Sequence, residues 1–199
     1  MSLDVAIIDS GGANLASLQF ALERLGARSI VTSDAGEIAA APRVILPGVG
    51  SALAAMQRLN AAGVAAQLPQ LKQPLLGICL GMQLLFLKSE EGPAQCLGIL
   101  PQTVRRLEPK QGRPVPHMGW NRLHIAHPDP LLEGVAEHEH LYFVHSYAAP
   151  VSATTLATCS YGVEIAAVVR KGNFWGTQFH PERSTKVGAR ILANFLRLA

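Results

Sequence analysis

Short apolar runs alternate with segments of helical periodicity through residues 4–88, and this alternation constrains the fold more than any other feature. The runs are three to five residues long, and turn-forming residues follow them, which is typical of buried strands. Between them, leucines recur every three or four residues, as on the buried face of an amphipathic helix. Strands are predicted at residues 5–8, 29–31, 44–46 and 75–79. Strands that alternate with helices predict a parallel sheet covered by helices on both faces.

The sequence changes character after residue 90, where proline and glycine become frequent and helical periodicity is lost. Short strands are predicted here at residues 103–107, 122–125, 141–146, 155–157, 164–170 and 174–179. We expect them to extend the core sheet as antiparallel strands. A final amphipathic helix is predicted at residues 186–198. The predicted fold is an open, mostly parallel α/β sheet of flavodoxin-like type, with helices on both faces and antiparallel extension strands, in a single domain spanning residues 1–199.

The composition excludes several classes of protein. Hydrophobic residues make up 49% of the chain and charged residues 16%, which is too apolar for a disordered chain. The net charge of +3 comes from scattered basic residues, so no nucleic-acid partner is expected. Neither a long apolar span nor a secretion signal is recognisable, so no membrane partner is expected. The three cysteines form no CxxC pair, which favours a reducing, cytoplasmic setting.

The stretch Gly77-Ile78-Cys79-Leu80-Gly81 carries the strongest chemical signal. A nucleophile between glycines two residues away on either side, at the junction of a strand and a helix, is typical of a nucleophile elbow. The turn strains the backbone and leaves no room for side chains at the glycine positions. The helix N-terminus would stabilise a Cys79 thiolate, and the Leu80 N–H could donate to an oxyanion. The alternative is a buried cysteine that happens to lie between glycines.

A reactive thiolate needs a base, and the base needs a group that orients it. His180 directly follows a predicted apolar strand, at the end where the active sites of open α/β sheets lie, and Glu182 follows two residues later. That carboxylate could hold one ring nitrogen and so fix the tautomer. Taken alone, this pair would more often be a surface histidine beside an acid. Together with the cysteine elbow, it predicts a Cys-His-Glu triad.

The loop Gly48-Val49-Gly50 follows the third predicted strand and could supply a second oxyanion donor, from Val49 or Gly50. A dinucleotide-binding loop is the rival interpretation, but the third glycine of GxGxxG is missing and the loop does not follow the first strand. No phosphate-binding GxxxxGK[ST] loop occurs either, so no cofactor is expected. The residues at 137–140, EHEH, lack the spacing of a metal site, and no metal is expected.

Five stretches together resemble the class I, or triad, glutamine amidotransferases. They are PGVG at 47–50, GICLGMQLLF at 77–86, PHMGWN at 116–121, YFVHSY at 142–147 and QFHPE at 178–182. The pattern is most similar to the glutaminase subunits of imidazole glycerol phosphate synthase, since Met82 stands where subunits for anthranilate, carbamoyl phosphate and GMP synthesis usually carry histidine. The resemblance covers the whole chain. It implies that glutamine is hydrolysed and that the ammonia passes to a separate cyclase subunit, in histidine biosynthesis.

The resemblance also assigns roles to individual residues. Cys79 would be the nucleophile, His180 the base and Glu182 its orienting group, while His145 would support the pocket wall. The residues expected to line the glutamine pocket or oxyanion hole are Val49, Gly50, Leu80, Gln83, Ser146 and Tyr147. Those expected to face the cyclase partner are Asn14, Met118, Trp120, Asn121 and Arg183. For Trp120, a core aromatic side chain remains the alternative.

Two departures from the family pattern and two rival functions stay open. Ser10 and Ala13 replace a tyrosine and a glycine of the first loop, and Arg183 stands where lysine is usual, which changes the hydrogen-bond geometry expected at the interface.

One rival function is a glutaminase that serves a different synthase, against which Met82 and the PHMGWN stretch speak. The other is a non-catalytic regulatory module with Cys79 as a redox sensor, although a sensor needs no oriented base.

Overall fold

An eight-stranded sheet forms the core of the computed structural model, which describes residues 4–10 and 15–199. The strands of the described residues are β1 Val5–Ile8, β2 Ser29–Thr32, β3 Val44–Leu46, β4 Leu75–Ile78, β5 Phe86–Ser89, β6 Ala94–Gln95, β7 Leu100–Arg106, β8 His117–Arg122, β9 His124–Ile125, β10 His140–His145, β11 Tyr147–Ala148, β12 Thr155–Ser160, β13 Glu164–Lys171 and β14 Phe174–Thr177. The helices are α1 Leu15–Arg24, α2 Ala35–Ala40, α3 Ala52–Ala61, α4 Leu80–Leu84 and α5 Thr185–Phe195.

The main sheet has a parallel half and an antiparallel half. Its strands lie in the order β2, β1, β3, β4, β14, β13, β12, β9. The first five pair in parallel, and the last three continue the sheet as antiparallel neighbours. The mostly parallel sheet with antiparallel extension strands, predicted from the sequence, is therefore confirmed.

Helices cover both faces of the sheet because its strands are apolar on both sides. In β3, Ile45 packs into one buried cluster, whereas Val44 and Leu46 pack into the other. The first cluster contains the buried hydrophobic side chains of α1 and α5, and the second contains those of α2, α3 and α4. The alternation of side chains along a strand thus divides the core into two layers, one on each face.

Several strands that the sequence predicted as extensions of the main sheet belong instead to smaller sheets. Strand β7 pairs with β5 and β11, and β10 pairs with β8 in a two-stranded antiparallel sheet. Strand β14 was also expected to be antiparallel, yet it lies parallel to β4. A run of short strands shows where each strand occurs, but pairing depends on contacts between distant residues.

The leucines after the fourth predicted strand predict a helix through Leu84, Leu85 and Leu87, but α4 ends at Leu84 and Phe86 already begins β5. Leu84, Leu85 and Phe86 are all fully buried, and such a continuous apolar run fits a helix and a buried strand equally well. Helix α2 was not predicted; it begins after Asp34, whose carboxylate accepts the Glu37 N–H. The sequence also predicts that Asn14 caps the first helix, but Asn14 lies outside the described residues.

Within the two described ranges, no helix combines the length and the apolar character needed to cross a bilayer.

Candidate active site

Three neighbouring parallel strands bring the candidate residues together. Strands β3, β4 and β14 lie side by side, with Leu46 opposite Gly77 and Thr177 opposite Ile78. Because they run in the same direction, their carboxyl ends meet at one edge of the sheet. The glycine loop follows β3, Cys79 follows β4, and His180 lies three residues beyond the end of β14. Their closeness is a consequence of strand order, since these segments are far apart in the sequence.

Cys79 lies on a sharp turn between β4 and α4. Its backbone has φ 55° and ψ −110°, a left-handed conformation that a residue with a side chain rarely adopts. A Cβ atom on Gly77 would lie 2.6 Å from the Gly81 carbonyl oxygen, and one on Gly81 would collide with the Leu46 carbonyl. Both positions therefore require glycine, for the steric reason that the elbow pattern predicts.

The imidazole of His180 is held between the thiol and a carboxylate. Its Nδ1–H donates to Glu182 Oε1 at 2.8 Å, and both side chains are buried. The backbone N–H of His180 donates to the Tyr142 carbonyl at 3.0 Å, which ties the residue to β10. The other ring nitrogen, Nε2, is buried and makes no regular hydrogen bond to a described residue. It is therefore the nitrogen left to face the Cys79 thiol.

The protonation of His180 reflects these two neighbours. Burial lowers the pKa of the ring, but the interactions with Cys79 and Glu182 outweigh burial and raise the pKa to about 10. The raised pKa favours the imidazolium form, which can donate a proton from Nε2. The Cys79 sulfur also lies 3.7 Å from the Val144 carbonyl oxygen and 3.9 Å from Gln178 Nε2.

Replacing Cys79 with alanine should lower the pKa of His180, because the sulfur no longer favours the imidazolium while burial still opposes it. The expected change is downward from about 10, and the ring then titrates at a lower pH than in the parent chain. Nuclear magnetic resonance of the ring carbon and nitrogen signals between pH 5 and 11 measures it. An unchanged titration in the alanine variant would show that His180 does not sense the sulfur.

A cavity of about 270 Å³ opens beside Cys79 and His180. All six residues expected to line the glutamine pocket or oxyanion hole line it, namely Val49, Gly50, Leu80, Gln83, Ser146 and Tyr147. His145 lines it as well, together with Val144, Pro116 and Glu91, which the sequence analysis did not single out. Pro116 belongs to the PHMGWN stretch and Val144 to YFVHSY, so both lie within stretches that carry the family resemblance.

Two polar side chains define what the cavity could bind. Gln83 Nε2 donates to the Tyr147 carbonyl at 2.8 Å and to Gln178 Oε1 at 3.0 Å, which leaves Gln83 Oε1 free to accept from a ligand. Glu91 is the one acidic side chain among the described residues that line the cavity, and its Oε2 accepts the Ala52 N–H at 3.0 Å. Burial raises the pKa of Glu91, and a ligand cation would compensate that burial.

A second, smaller cavity of about 100 Å³ also borders the triad. Its lining includes His180 and Glu182, and it extends to Leu18 and Arg183. The Arg183 guanidinium lies 4.6 Å from the centre of the Tyr142 ring, and Tyr142 in turn contacts Trp120 edge to face. This cavity therefore runs from the triad towards an exposed group of aromatic and cationic side chains.

That exposed group contains most of the residues predicted to face a partner. On β8, Met118 is 66% exposed and Trp120 is 51% exposed, so Trp120 is not the core aromatic that the alternative interpretation required. Asn121 points to the opposite face, where its Nδ2 donates to the Ser160 carbonyl at 2.9 Å. Arg183 joins the group through Tyr142. Asn14 lies outside the described residues.

The acidic and histidine stretch at 137–140 is only partly assembled. Glu137 and His138 lie near His124, with ligand atoms within 4.8 Å of one another, and the site is solvent-accessible. Both Glu137 oxygens already have hydrogen-bond partners, since Oε1 contacts His124 Nδ1 and Oε2 accepts the Ile125 N–H. The expectation that the chain needs no metal stays a prediction.

An open α/β sheet with a cysteine elbow beside a histidine–glutamate pair defines a triad amidotransferase. The family model described as "Glutamine amidotransferase class-I" matches residues 6–199. The structure of PurLQS from Thermotoga maritima superposes with a TM-score of 0.75 at 19% identity, covering 98% of each chain, which supports the fold.

The more similar relatives are both named "Imidazole glycerol phosphate synthase subunit HisH". The protein from Xanthomonas oryzae is 56% identical over 196 residues, and the one from Xylella fastidiosa (strain Temecula1) is 54% identical over 195 residues. Each comparison covers 98% of this chain and 98% of the relative. The chain therefore belongs to the class-I glutamine amidotransferase family and, within it, to the family of these HisH subunits.

Proposed function

We propose that the chain hydrolyses glutamine to glutamate and ammonia through Cys79, His180 and Glu182. One observation carries this proposal: a strained cysteine lies next to a buried, carboxylate-bound histidine, whose pKa is raised, at the wall of a cavity. A thiol, a proton carrier and an orienting carboxylate are the groups that acyl transfer from an amide requires. The expected absence of a cofactor accords with this chemistry, since none of its steps uses one.

The reaction begins with attack of the Cys79 thiolate on the carboxamide carbon of glutamine. The Leu80 N–H, together with the N–H of Val49 or Gly50, would stabilise the oxyanion that forms. His180 Nε2 then donates its proton to the departing nitrogen, which leaves as ammonia, and a thioester to Cys79 remains. Water, deprotonated by the same nitrogen, attacks the thioester and releases glutamate with the free thiol.

The cavity suits a free amino acid that carries a side-chain amide. The Glu91 carboxylate could pair with the α-ammonium group, and Gln83 Oε1 could accept a hydrogen bond from it or from the carboxamide. Ser146 follows β10 directly and Tyr147 begins β11, and both also line the cavity, where they would contact the remainder of the substrate. With about 270 Å³, the cavity accommodates a molecule of this size.

We propose further that the ammonia passes to the cyclase subunit of an imidazole glycerol phosphate synthase, bound as a heterodimer. The curated relatives carry that synthase in their names, and the smaller cavity at the triad extends to Arg183, which contacts Tyr142 of the exposed group. The cyclase would form imidazole glycerol phosphate and aminoimidazole carboxamide ribonucleotide in histidine biosynthesis. The chain would act as one domain over residues 1–199 in the cytoplasm, where its free cysteines stay reduced.

Trp120→Ala tests the partner assignment. Exposed tryptophans that anchor an interface commonly contribute 2 kcal/mol or more, so we expect the variant to bind the cyclase subunit at least about thirtyfold more weakly. Isothermal calorimetry measures the affinity, and glutamate release with and without the cyclase measures activation. Val163→Ala is the matched control, because Val163 is exposed to a similar degree, 54%, but lies outside the group. Equal affinity of the two variants would contradict the proposed interface.

A further inference from the structure

A chain of hydrogen bonds, buried at its centre, connects the partner-facing strand β8 with the wall of the glutamine cavity. Asn121 Nδ2 lies 3.3 Å from His117 Nε2, and His117 Nδ1 lies 3.0 Å from His145 Nε2. His145 Nδ1 in turn lies 2.8 Å from the Tyr147 carbonyl oxygen. None of these contacts belongs to the triad. The two histidines occupy directly opposed positions on β8 and β10.

The direction of every hydrogen bond in this chain is determined by its two ends. A carbonyl can only accept, so His145 must carry its proton on Nδ1 and use Nε2 as an acceptor. His117 must then donate from Nδ1, which leaves its Nε2 to accept from Asn121. The Asn121 amide has the matching orientation, because its Oδ1 accepts the Arg122 N–H at 2.8 Å and its Nδ2 donates. One tautomer of each neutral ring satisfies the whole chain.

Packing and electrostatics keep both rings neutral. His117 stacks between Phe143 and Tyr161, with ring centres 5.1 and 4.0 Å away. Burial lowers the pKa of His117 to about 4. Burial and the charges of His117 and His180 lower the pKa of His145 to about 3, even though its hydrogen bond to Tyr147 opposes that change.

This series of hydrogen bonds ends at the Tyr147 carbonyl, which positions the Gln83 side chain that would contact the ligand. The Tyr147 carbonyl accepts from His145 and also from Gln83 Nε2. Gln83 Nε2 donates its second hydrogen to Gln178, so both hydrogens of the amide are engaged. The place of Gln83 Oε1 in the cavity therefore depends on where the Tyr147 carbonyl is held, and His145 is the side chain that holds it.

We propose that His117 and His145 are positioning residues that orient Gln83 towards glutamine and connect this part of the pocket to Asn121 on β8. The inference rests on the proposed function, since it assumes that glutamine occupies the cavity. Neither histidine exchanges a proton with substrate in this role. They provide a fixed hydrogen-bond donor at the Tyr147 carbonyl. Without this donor, we expect glutamine to be bound more weakly, while Cys79 stays as reactive as before.

The test compares two reagents that label Cys79. A chloroketone analogue of glutamine must enter the pocket, whereas iodoacetamide needs only an accessible thiolate. His145→Leu and His145→Asn are similar in size, and the asparagine amide can replace the Nδ1–H donor. We expect His145→Leu to react about tenfold more slowly with the analogue, His145→Asn within about threefold of the parent chain, and both to react with iodoacetamide within about twofold of it.

A variant at Asn121, outside the cavity, tests whether the series of hydrogen bonds affects the orientation of Gln83. Asn121 does not line the cavity, and aspartate has the same shape but cannot donate to His117 Nε2. Asn121→Asp should therefore reverse the His117 tautomer and slow labelling by the analogue several-fold, with the iodoacetamide rate preserved. Nuclear magnetic resonance of the ring nitrogens reports the tautomers directly and should show Nδ1–H forms of both histidines in the parent chain at pH 7.

Each contrary result has a distinct meaning. Equal analogue rates in His145→Leu and His145→Asn, or an Nε2–H tautomer of His145 in the parent chain, would overturn the positioning role. If the variants reacted equally more slowly with the chloroketone analogue and with iodoacetamide, the histidines would serve folding alone. That result would also overturn the positioning role. A parent chain that reacts with iodoacetamide but not with the analogue would instead refute the proposed substrate, and the positioning role would fall with it.

Discussion

Replacing Cys79 with alanine is expected to reduce glutamate release by at least about a thousandfold, with the fold intact. Removal of the nucleophile from a triad commonly costs about 10³ to 10⁶ in turnover, because the residual binding and oxyanion groups cannot form the covalent intermediate. The small alanine side chain keeps the elbow free of new collisions. Glutamate release by the complex with the cyclase subunit is the measurement, with circular dichroism as the check on folding.

The other two cysteines provide the controls for this experiment. Cys96 and Cys159 have no neighbouring imidazole among their described contacts, and burial raises the pKa of their thiols to about 11 and about 12. Neither is a thiolate at neutral pH, so Cys96→Ala and Cys159→Ala should retain turnover within about twofold. Glutaminase activity that survives Cys79→Ala would remove the triad assignment. Equal losses in all three variants would point to misfolding.

Gly81→Ala should be the most damaging single methyl addition at the elbow. The new Cβ would collide with the carbonyl of Leu46, a backbone atom of β3 that cannot move without breaking the sheet. We expect a loss of about 3 kcal/mol or more in the free energy of unfolding, or a chain that does not fold, since overpacking against backbone has no cheap relaxation. The urea midpoint of unfolding, followed by circular dichroism, measures the change.

Gly26→Ala is the matched control for a glycine that faces open space. Gly26 has φ 78° and lies just beyond α1, and a Cβ there would have no heavy atom within 4 Å. Only the left-handed backbone is strained, which costs roughly 1 kcal/mol. A Gly81→Ala protein as stable as the Gly26→Ala protein would show that the approach of β3 to the elbow is looser than described.

The cysteine elbow was predictable because its geometry is local. The turn, the two glycines and the donor at Leu80 lie within five consecutive residues, so the steric argument needs no tertiary contact. The pairing of His180 with Glu182 was predictable for a similar reason, as only Pro181 separates them. What the sequence alone could not show is that the two motifs meet, and that follows from the adjacency of β4 and β14.

Glu91 illustrates a site residue without a local signal. It lies in a polar turn between β5 and β6, where an acidic residue would ordinarily be solvated. The tertiary structure places it against the N-terminus of α3, with Ala52 as its hydrogen-bond donor, and at the wall of the cavity. The same holds for the His117–His145 pair, whose two strands were not predicted to form a sheet of their own.

By itself, the sequence predicted which residues could react and most of the strands that carry them. Strand propensity, glycine spacing and the order of nucleophile and base depend on neighbours along the chain, so local sequence patterns predict them. The tertiary structure alone decided the strand order, the exposure of Trp120 and the hydrogen-bonded route from Asn121 to Gln83. The physical reason is that burial, strand pairing and hydrogen-bond direction depend on contacts between residues distant in sequence, and no local pattern encodes those contacts.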